Sequence, residues 1–198
     1  MKGWFQSSYD KMTVMNAPFV TGDLLPAAPL RVVVMGVSGC GKSTIAEGLS
    51  QALNWPYIEG DQHHPKPNIE KMSAGIPLND EDRAGWLDVL AGFMGESARL
   101  NQGLVLTCSA LKRKYRDRFR LADPQVHFIH LQGSRDEIAP RLALRKGHYM
   151  PPSLLDSQFR DLEPPGADEH ALGISVVLPP DHIVRLALDH LRHPAPSL

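Results

Sequence analysis

The sequence predicts an α/β fold: a five-stranded parallel sheet with helices on both faces. Three observations carry that expectation. Short β-branched or aliphatic runs alternate with longer helical stretches along the chain, the order a parallel sheet requires. The first run, Val32-Val-Val-Met35, is apolar without alternation, as a strand buried on both faces must be. It breaks at Gly36 into a glycine-rich turn that leads straight into a helical stretch.

The elements follow in order. After the strand Arg31–Met35 comes a helix from Lys42 to about Leu53, then a second strand over Trp55–Glu59. Between Gln62 and Asn79 stand three prolines and a glycine around a short helical piece at Asn68–Ser73. That density of breakers marks a substrate-side insertion, not a core element. Asp80 is placed to cap a helix running to about Leu100, with Trp86, Leu87, Leu90, Phe93 and Met94 along one stripe. Leu104–Cys108 reads as the third strand and Lys112–Arg120 as a strongly basic helix, in which Lys114, Arg116, Arg118 and Arg120 make a solvated face. Val126–Leu131 is the fourth strand. Ser134 or Asp136 opens the next helix, which ends near Gly147. Pro140 would remove a hydrogen bond from its middle, so a late start or a kink is expected there. A helix over Pro152–Leu162, a fifth strand over Ile174–Leu178 and a closing helix from Asp181 to about Arg192 complete the chain.

This organisation amounts to a single domain over 30–198, with about 62–100 as the substrate-binding region and about 141–163 as a lid. The stretch 1–29, with Pro18, Pro26 and Pro29 among small and polar residues, reads as a poorly ordered tail. At 198 residues, 42% apolar and 22% charged, the composition is that of a globular domain with a real core. A net charge of −1 gives no general attraction to nucleic acid or to anionic membrane. No apolar run approaches the roughly 18 residues needed to span a bilayer. The two cysteines, Cys40 and Cys108, have no metal-site spacing, and reduced thiols in a cytoplasmic protein are the simpler expectation.

The turn after the first strand carries the strongest chemical signal. Gly36-Val37-Ser38-Gly39-Cys40-Gly41-Lys42-Ser43 matches the pattern Gly-x4-Gly-Lys-Ser. Its glycines let successive backbone N–H groups point inward as an anion nest, and the following helix adds its positive end. Lys42 places a charge against the β- and γ-phosphates of ATP, and the Ser43 hydroxyl ligates Mg2+. Thr44 helps to start the helix and completes the expected nucleotide-binding set of Gly36, Ser38, Gly39, Cys40, Gly41, Lys42 and Ser43.

Nucleotide-hydrolysing switches hold magnesium with an acid at the end of an apolar strand. The third strand here ends Thr107-Cys108-Ser109 instead. Glu59-Gly60-Asp61 follows the second strand, at the edge where doubly wound sheets place ligands. Two carboxylates there serve magnesium and accept a proton from a substrate hydroxyl, or else belong to a solvated loop.

Several motifs together resemble a known family. They are the loop from Gly36 to Thr44, Glu59-Gly-Asp-Gln-His-His-Pro65, Asn68-Ile-Glu-Lys-Met-Ser-Ala-Gly75, Pro77-Leu-Asn-Asp-Glu-Asp-Arg83, Cys108-Ser-Ala-Leu-Lys-Arg-Lys-Tyr-Arg-Asp117 and Arg145-Lys-Gly-His148. The combination is similar to that of the small P-loop gluconokinases, and the likeness runs from about Val32 to Asp181. Glu59, where the family more often has Asp, and Pro140 depart from its pattern. The resemblance implies the P-loop kinase fold of shikimate and nucleoside monophosphate kinases and transfer of the ATP γ-phosphoryl group to the 6-hydroxyl of D-gluconate. It also implies a homodimer.

Within that expectation, Asp61 is the candidate base, and Lys42 and Arg145 are the candidate catalytic cations. Glu59 joins Ser43 as a metal ligand. His63, His64 and Asn68 are candidates for the sugar hydroxyls. Arg83 either binds the carboxylate through its two-pronged guanidinium or forms an exposed helical ion pair with Asp80 or Glu81. Lys112 or Arg113 faces substrate or phosphate. Arg141 and Arg145, four apart on one helical face, either close over the nucleotide as lid residues or remain a surface pair. In Gly166-Ala-Asp-Glu169 the acids Asp168 and Glu169 have a loop role. Two other readings of the chain stand beside this one. One is a kinase of the same fold for a shikimate-like acid or a nucleoside monophosphate; the other is a nucleotide-binding module without transfer activity.

Overall fold

The computed structural model describes residues 26–144 and 154–193. Among them five strands form one all-parallel sheet in the order β2-β3-β1-β4-β5. The strands are β1 Arg31–Met35, β2 Tyr57–Glu59, β3 Leu104–Thr107, β4 His127–Gln132 and β5 Ala171–Ser175. The helices are α1 Lys42–Leu53, α2 Lys66–Ser73, α3 Asp80–Arg99, α4 Arg113–Ala122, α5 Arg135–Leu144, α6 Leu155–Asp161 and α7 Pro180–Arg192.

Alternate residues of a strand point to opposite faces, so β1 feeds two cores. Val32 and Val34 pack with Ile45 and Leu49 of α1, Ile138 of α5 and Ile183 and Leu191 of α7. Val33 and Met35 pack on the other face with Trp86, Leu90 and Met94 of α3 and Phe119 of α4. The central strand is therefore fully enclosed. Its C-terminal end, with those of β2 and β3, opens at one edge of the sheet.

Apart from shifts of a residue or two at other element ends, four elements differ from their expected form. The fifth strand begins three residues earlier than expected because β4 sets its register, pairing Phe128 with Ala171 and Gln132 with Ser175. Val176 still donates its N–H to the Gln132 carbonyl at 2.8 Å, but Val177 and Leu178 are exposed turn residues before the Pro179–Pro180 start of α7. The helix expected to be capped by Asp80 is capped by Asn79. The Asn79 side chain accepts the Asp82 N–H and the Asp82 carboxylate accepts the Asn79 N–H, both at 2.8 Å. Pro140 lies inside α5, which starts without delay. Glu137 and Ser134 cap that helix reciprocally, and burial of Ile138 and Leu142 offsets the N–H that Pro140 lacks. Arg116, expected on a solvated face, is fully buried.

Arg116 reaches inward because it shares the inner face of α4 with Tyr115 and Phe119. Its Nε and Nη2 meet both carboxylate oxygens of Glu169 at 2.6 and 3.0 Å. Its Nη1 donates to the carbonyls of Ala110, Leu111 and Glu163. Glu169, expected to have only a loop role, is thus half of a buried ion pair, and it also accepts the Gly166 N–H at 2.8 Å. Lys114, Arg118 and Arg120, by contrast, remain at the surface and pair with Asp80, Asp88 and Asp117.

Removing one partner of such a pair strands a charge in the interior. Arg116→Met is expected to lower the unfolding free energy by about 3–5 kcal/mol in urea titrations. Arg99→Met, which removes an exposed pair with Glu96, should leave the midpoint almost unchanged. Equal midpoints for the two variants would refute the structural role of Arg116.

Candidate active site

The turn between β1 and α1 forms one wall of the site. Gly41, in the left-handed region at φ 99, caps α1 and offers no side-chain acceptor. The N–H groups of Lys42, Ser43 and Thr44 therefore begin a helix whose positive end is left open to an anion. Lys42 reaches back with Nζ 3.1 Å from the Val37 carbonyl. Three other loop amides are engaged within the protein. Gly36 donates to Ser109, Cys40 to Val37, and Ser38 to Oε1 of Gln158 at 2.6 Å. Cys40 is buried, and burial raises its thiol pKa, so it is no nucleophile. Gly36, Ser38 and Cys40 thus shape the loop, while Gly39, Gly41, Lys42 and Ser43 line a cavity of about 340 Å³.

Glu59, Asp61 and Arg141 line that same cavity. Glu59 ends β2 beside Ser43, whose hydroxyl donates to it at 2.6 Å. Tyr57 donates to the same oxygen at 2.6 Å, and Thr107 at the end of β3 donates to the other. Burial alone would raise the Glu59 pKa, but the three hydroxyls more than offset it and hold the carboxyl below its usual range. Burial and the adjacent carboxylate keep the Tyr57 phenol protonated. Gly60 lets this acid approach so closely, because a Cβ there would lie 2.0 Å from the Thr107 carbonyl. The Gly60 N–H donates to Thr107 Oγ1 at 3.0 Å, and Asp61 follows in a 3₁₀ turn over Gly60–His63.

The remaining candidate residues gather around α3. Trp86 donates its indole N–H to the Gly60 carbonyl at 2.8 Å, and His64 stacks on its ring with centroids 3.9 Å apart. Burial pushes the His64 pKa down to about 4, so the ring is neutral. His63 is exposed, with its edge against Phe93. Asn68 is buried and donates to the Asp82 carbonyl at 2.7 Å, tying α2 to α3.

Arg83 is 7% exposed and forms no helical ion pair. One Nη donates to the Leu78 carbonyl at 3.3 Å, its Nε has no partner among the described residues, and the guanidinium sits 5.8 Å from the Tyr115 ring centroid. Lys112 lies between Asp80 and Asp161, at 3.3 and 3.4 Å. Arg113 pairs at the surface with Asp168. The buried thiol of Cys108, at the end of β3, feels the charges of Asp61, Lys42 and Arg83 together.

Arg141 lines the first cavity and a second one beside it. Its guanidinium donates to the Val176 carbonyl at 3.0 Å. The second cavity, of about 430 Å³, is also lined by Val176, Val177, Leu178, Pro179 and Thr44. Arg145, with the rest of 145–153, lies outside the described residues.

Sequence reasoning missed Tyr57, Gln158 and the 176–180 wall. Tyr57 had a signal, since positions 57 and 59 share one face of a strand. The other two had none, because Gln158 meets Ser38, and the 176–180 wall meets Cys40 and Thr44, across more than a hundred residues.

The shikimate kinase family model matches residues 38–162. The gluconokinase of Gluconobacter oxydans is 47% identical over 164 residues, which cover 83% of this chain and 92% of that protein. A sugar kinase structure from a Janibacter species superposes with a TM-score of 0.79 at 44% identity, covering 84% of this chain and 96% of that one. The structure of a gluconokinase from Sinorhizobium meliloti gives 0.75 at 44% identity, covering 82% and 91%.

The hydroxyl cage makes Glu59 testable by itself. Tyr57→Phe and Thr107→Val should each raise the pH at which Glu59 titrates, followed by carboxyl 13C NMR. An unchanged titration in both variants would show that the hydroxyls do not hold its charge.

Proposed function

This chain belongs to the gluconokinases, a group within the reach of the shikimate kinase family model, and from that premise we propose that it phosphorylates D-gluconate at the 6-hydroxyl, with ATP as donor and 6-phospho-D-gluconate and ADP as products. The observation that carries the reading is the meeting of an open helix N-terminus, an ionised acid and a buried arginine around the ends of β1, β2 and β3.

ATP phosphates suit the cavity beside Gly39, Gly41 and Lys42, and the largely apolar lining of Val176–Pro180 suits a base. Arg141 faces both, and Arg145 is assigned the same duty by resemblance. The Ser43 hydroxyl and the Glu59 carboxylate are hard oxygen donors 2.6 Å apart, a pair that fits Mg2+, which binds few protein ligands and keeps phosphate oxygens and waters for the rest. Bound there, magnesium would supply positive charge to the phosphate oxygens.

The protein's own part is positioning. Arg83, buried and only partly engaged, takes the gluconate carboxylate, because a desolvated guanidinium without an acid partner among the described residues favours an anion. His64, neutral on Trp86, is able to donate one proton and accept one from sugar hydroxyls, and His63 and Asn68 flank it. Asp61 accepts or orients the proton of the attacking 6-hydroxyl. Lys112, held by two acids, borders the acceptor. A homodimer and a cytoplasmic setting, in keeping with two buried thiols that are not linked, belong to the same reading.

Mg-ATP turnover in a panel of D-gluconate, other aldonates, shikimate and AMP is expected to be fastest with D-gluconate; a better acceptor among the rest would overturn the assignment. Asp61→Asn should lower kcat by at least about a hundredfold while ADP still binds, since general-base contributions run from about 10² to 10⁴. Near-normal turnover in that variant would remove Asp61 from the role of base.

A further inference from the structure

The N–H of Ser38 lies inside the protein, beneath the cavity-lining Gly39, and it needs an acceptor. Gln158 on α6 provides it at 2.6 Å, from a side chain only 4% exposed. A backbone N–H can only donate, so the carboxamide must present its oxygen here.

The short helix that carries Gln158 is held firmly on both sides. Leu155 joins Val37, Cys40, Ile138 and Leu142 in one apolar cluster. Asp156 pairs with Arg135 of α5 at 2.6 Å. That neighbouring helix also presses on the loop, since a Cβ on Gly39, at φ +83, would meet Leu142 Cβ at 3.0 Å.

Three residues beyond Gln158, on the same face of the helix, Asp161 meets Lys112 on the acceptor side. The chain then runs on to Glu163, whose N–H donates to Leu111 at 2.9 Å and whose carboxylate accepts the Arg113 N–H at 2.6 Å. The helix therefore bridges the phosphate loop and the loop after β3.

We propose that Gln158 is a positioning residue for the nucleotide. By holding Ser38 it keeps the N–H groups of Gly39 and of 41–44 aimed at the phosphates, and it does so from a helix that also contacts the acceptor side. This deepens the functional reading above and rests on its assignment of the loop to nucleotide phosphates.

Gln158→Leu keeps the bulk and removes the acceptor. It should weaken ADP binding, measured by calorimetry, by about tenfold, the size of one buried N–H left without a partner. The KM for ATP should rise by a similar factor while the KM for gluconate stays within about twofold of wild type. The Ser38 amide should lose hydrogen-exchange protection while β1 amides keep theirs. Gln158→Glu, which restores an acceptor, should recover the Ser38 protection.

Should Gln158→Leu fold poorly, Gln158→Met serves with the same readouts. Unchanged ADP affinity in a folded variant overturns the proposal. So does an equal rise in both KM values, which would mean a general structural role. If the wild type binds ADP but ignores gluconate, the acceptor assignment fails while the ADP measurement still decides the role of Gln158.

Discussion

The guanidinium of Arg116 lies where three segments of the chain meet, and the loop after β3 is organised around it. It binds the carbonyls of Ala110 and Leu111 after β3, the carbonyl of Glu163 after α6, and the carboxylate of Glu169 before β5. Ala110 takes a left-handed φ of 44, a conformation that a residue with a side chain adopts only when its surroundings impose it. The adjacent Ser109 carbonyl receives the Gly36 N–H of the phosphate loop. A buried charge pair is a weak source of net stability, but it supplies definition here, because losing either partner would strand an ion in the interior. Here that definition reaches both the phosphate loop and the loop that presents Lys112.

The absence of an acid at the end of β3 has a structural counterpart. Thr107 occupies that place and turns its hydroxyl toward Glu59 at the end of β2. The carboxylate thereby reaches Ser43 from the neighbouring strand. A glutamate is longer than an aspartate by one methylene, and Tyr57 and Thr107 hold its extra reach in a single orientation. Three donors around one carboxylate also keep it ionised against the desolvation of its site.

The site has two sides with different physics. On the proposed nucleotide side, backbone N–H groups and a helix end would address a polyanion, so the shape of the loop matters more than its side chains. On the proposed acceptor side, individual side chains would do the discriminating, and three of them lie against rings: His64 on Trp86, His63 on Phe93, Arg83 near Tyr115. Rings restrict the orientation of these polar groups. The helix α6 connects the two sides through Gln158 and Asp161.

What the sequence by itself determined is whatever depends on local backbone chemistry. Gly-x4-Gly-Lys-Ser specifies a turn that only those residues make easily, and the run Val32–Met35 can only be a strand buried on both faces. The acids after β2 were legible for the same reason, by their place at a strand end. Tertiary structure decided the rest. Of six cations between Lys112 and Arg120, the one that turns inward was settled by Glu169, more than fifty residues on. The fifth strand took its bounds from the length of β4, so the apolar Val177 and Leu178 became the wall of a cavity instead of sheet. Gln158 looks like any polar residue on a short helix until the fold brings it to Ser38. Local motifs carry their own geometry, whereas a buried polar group acquires its role only when its partner arrives from elsewhere in the chain.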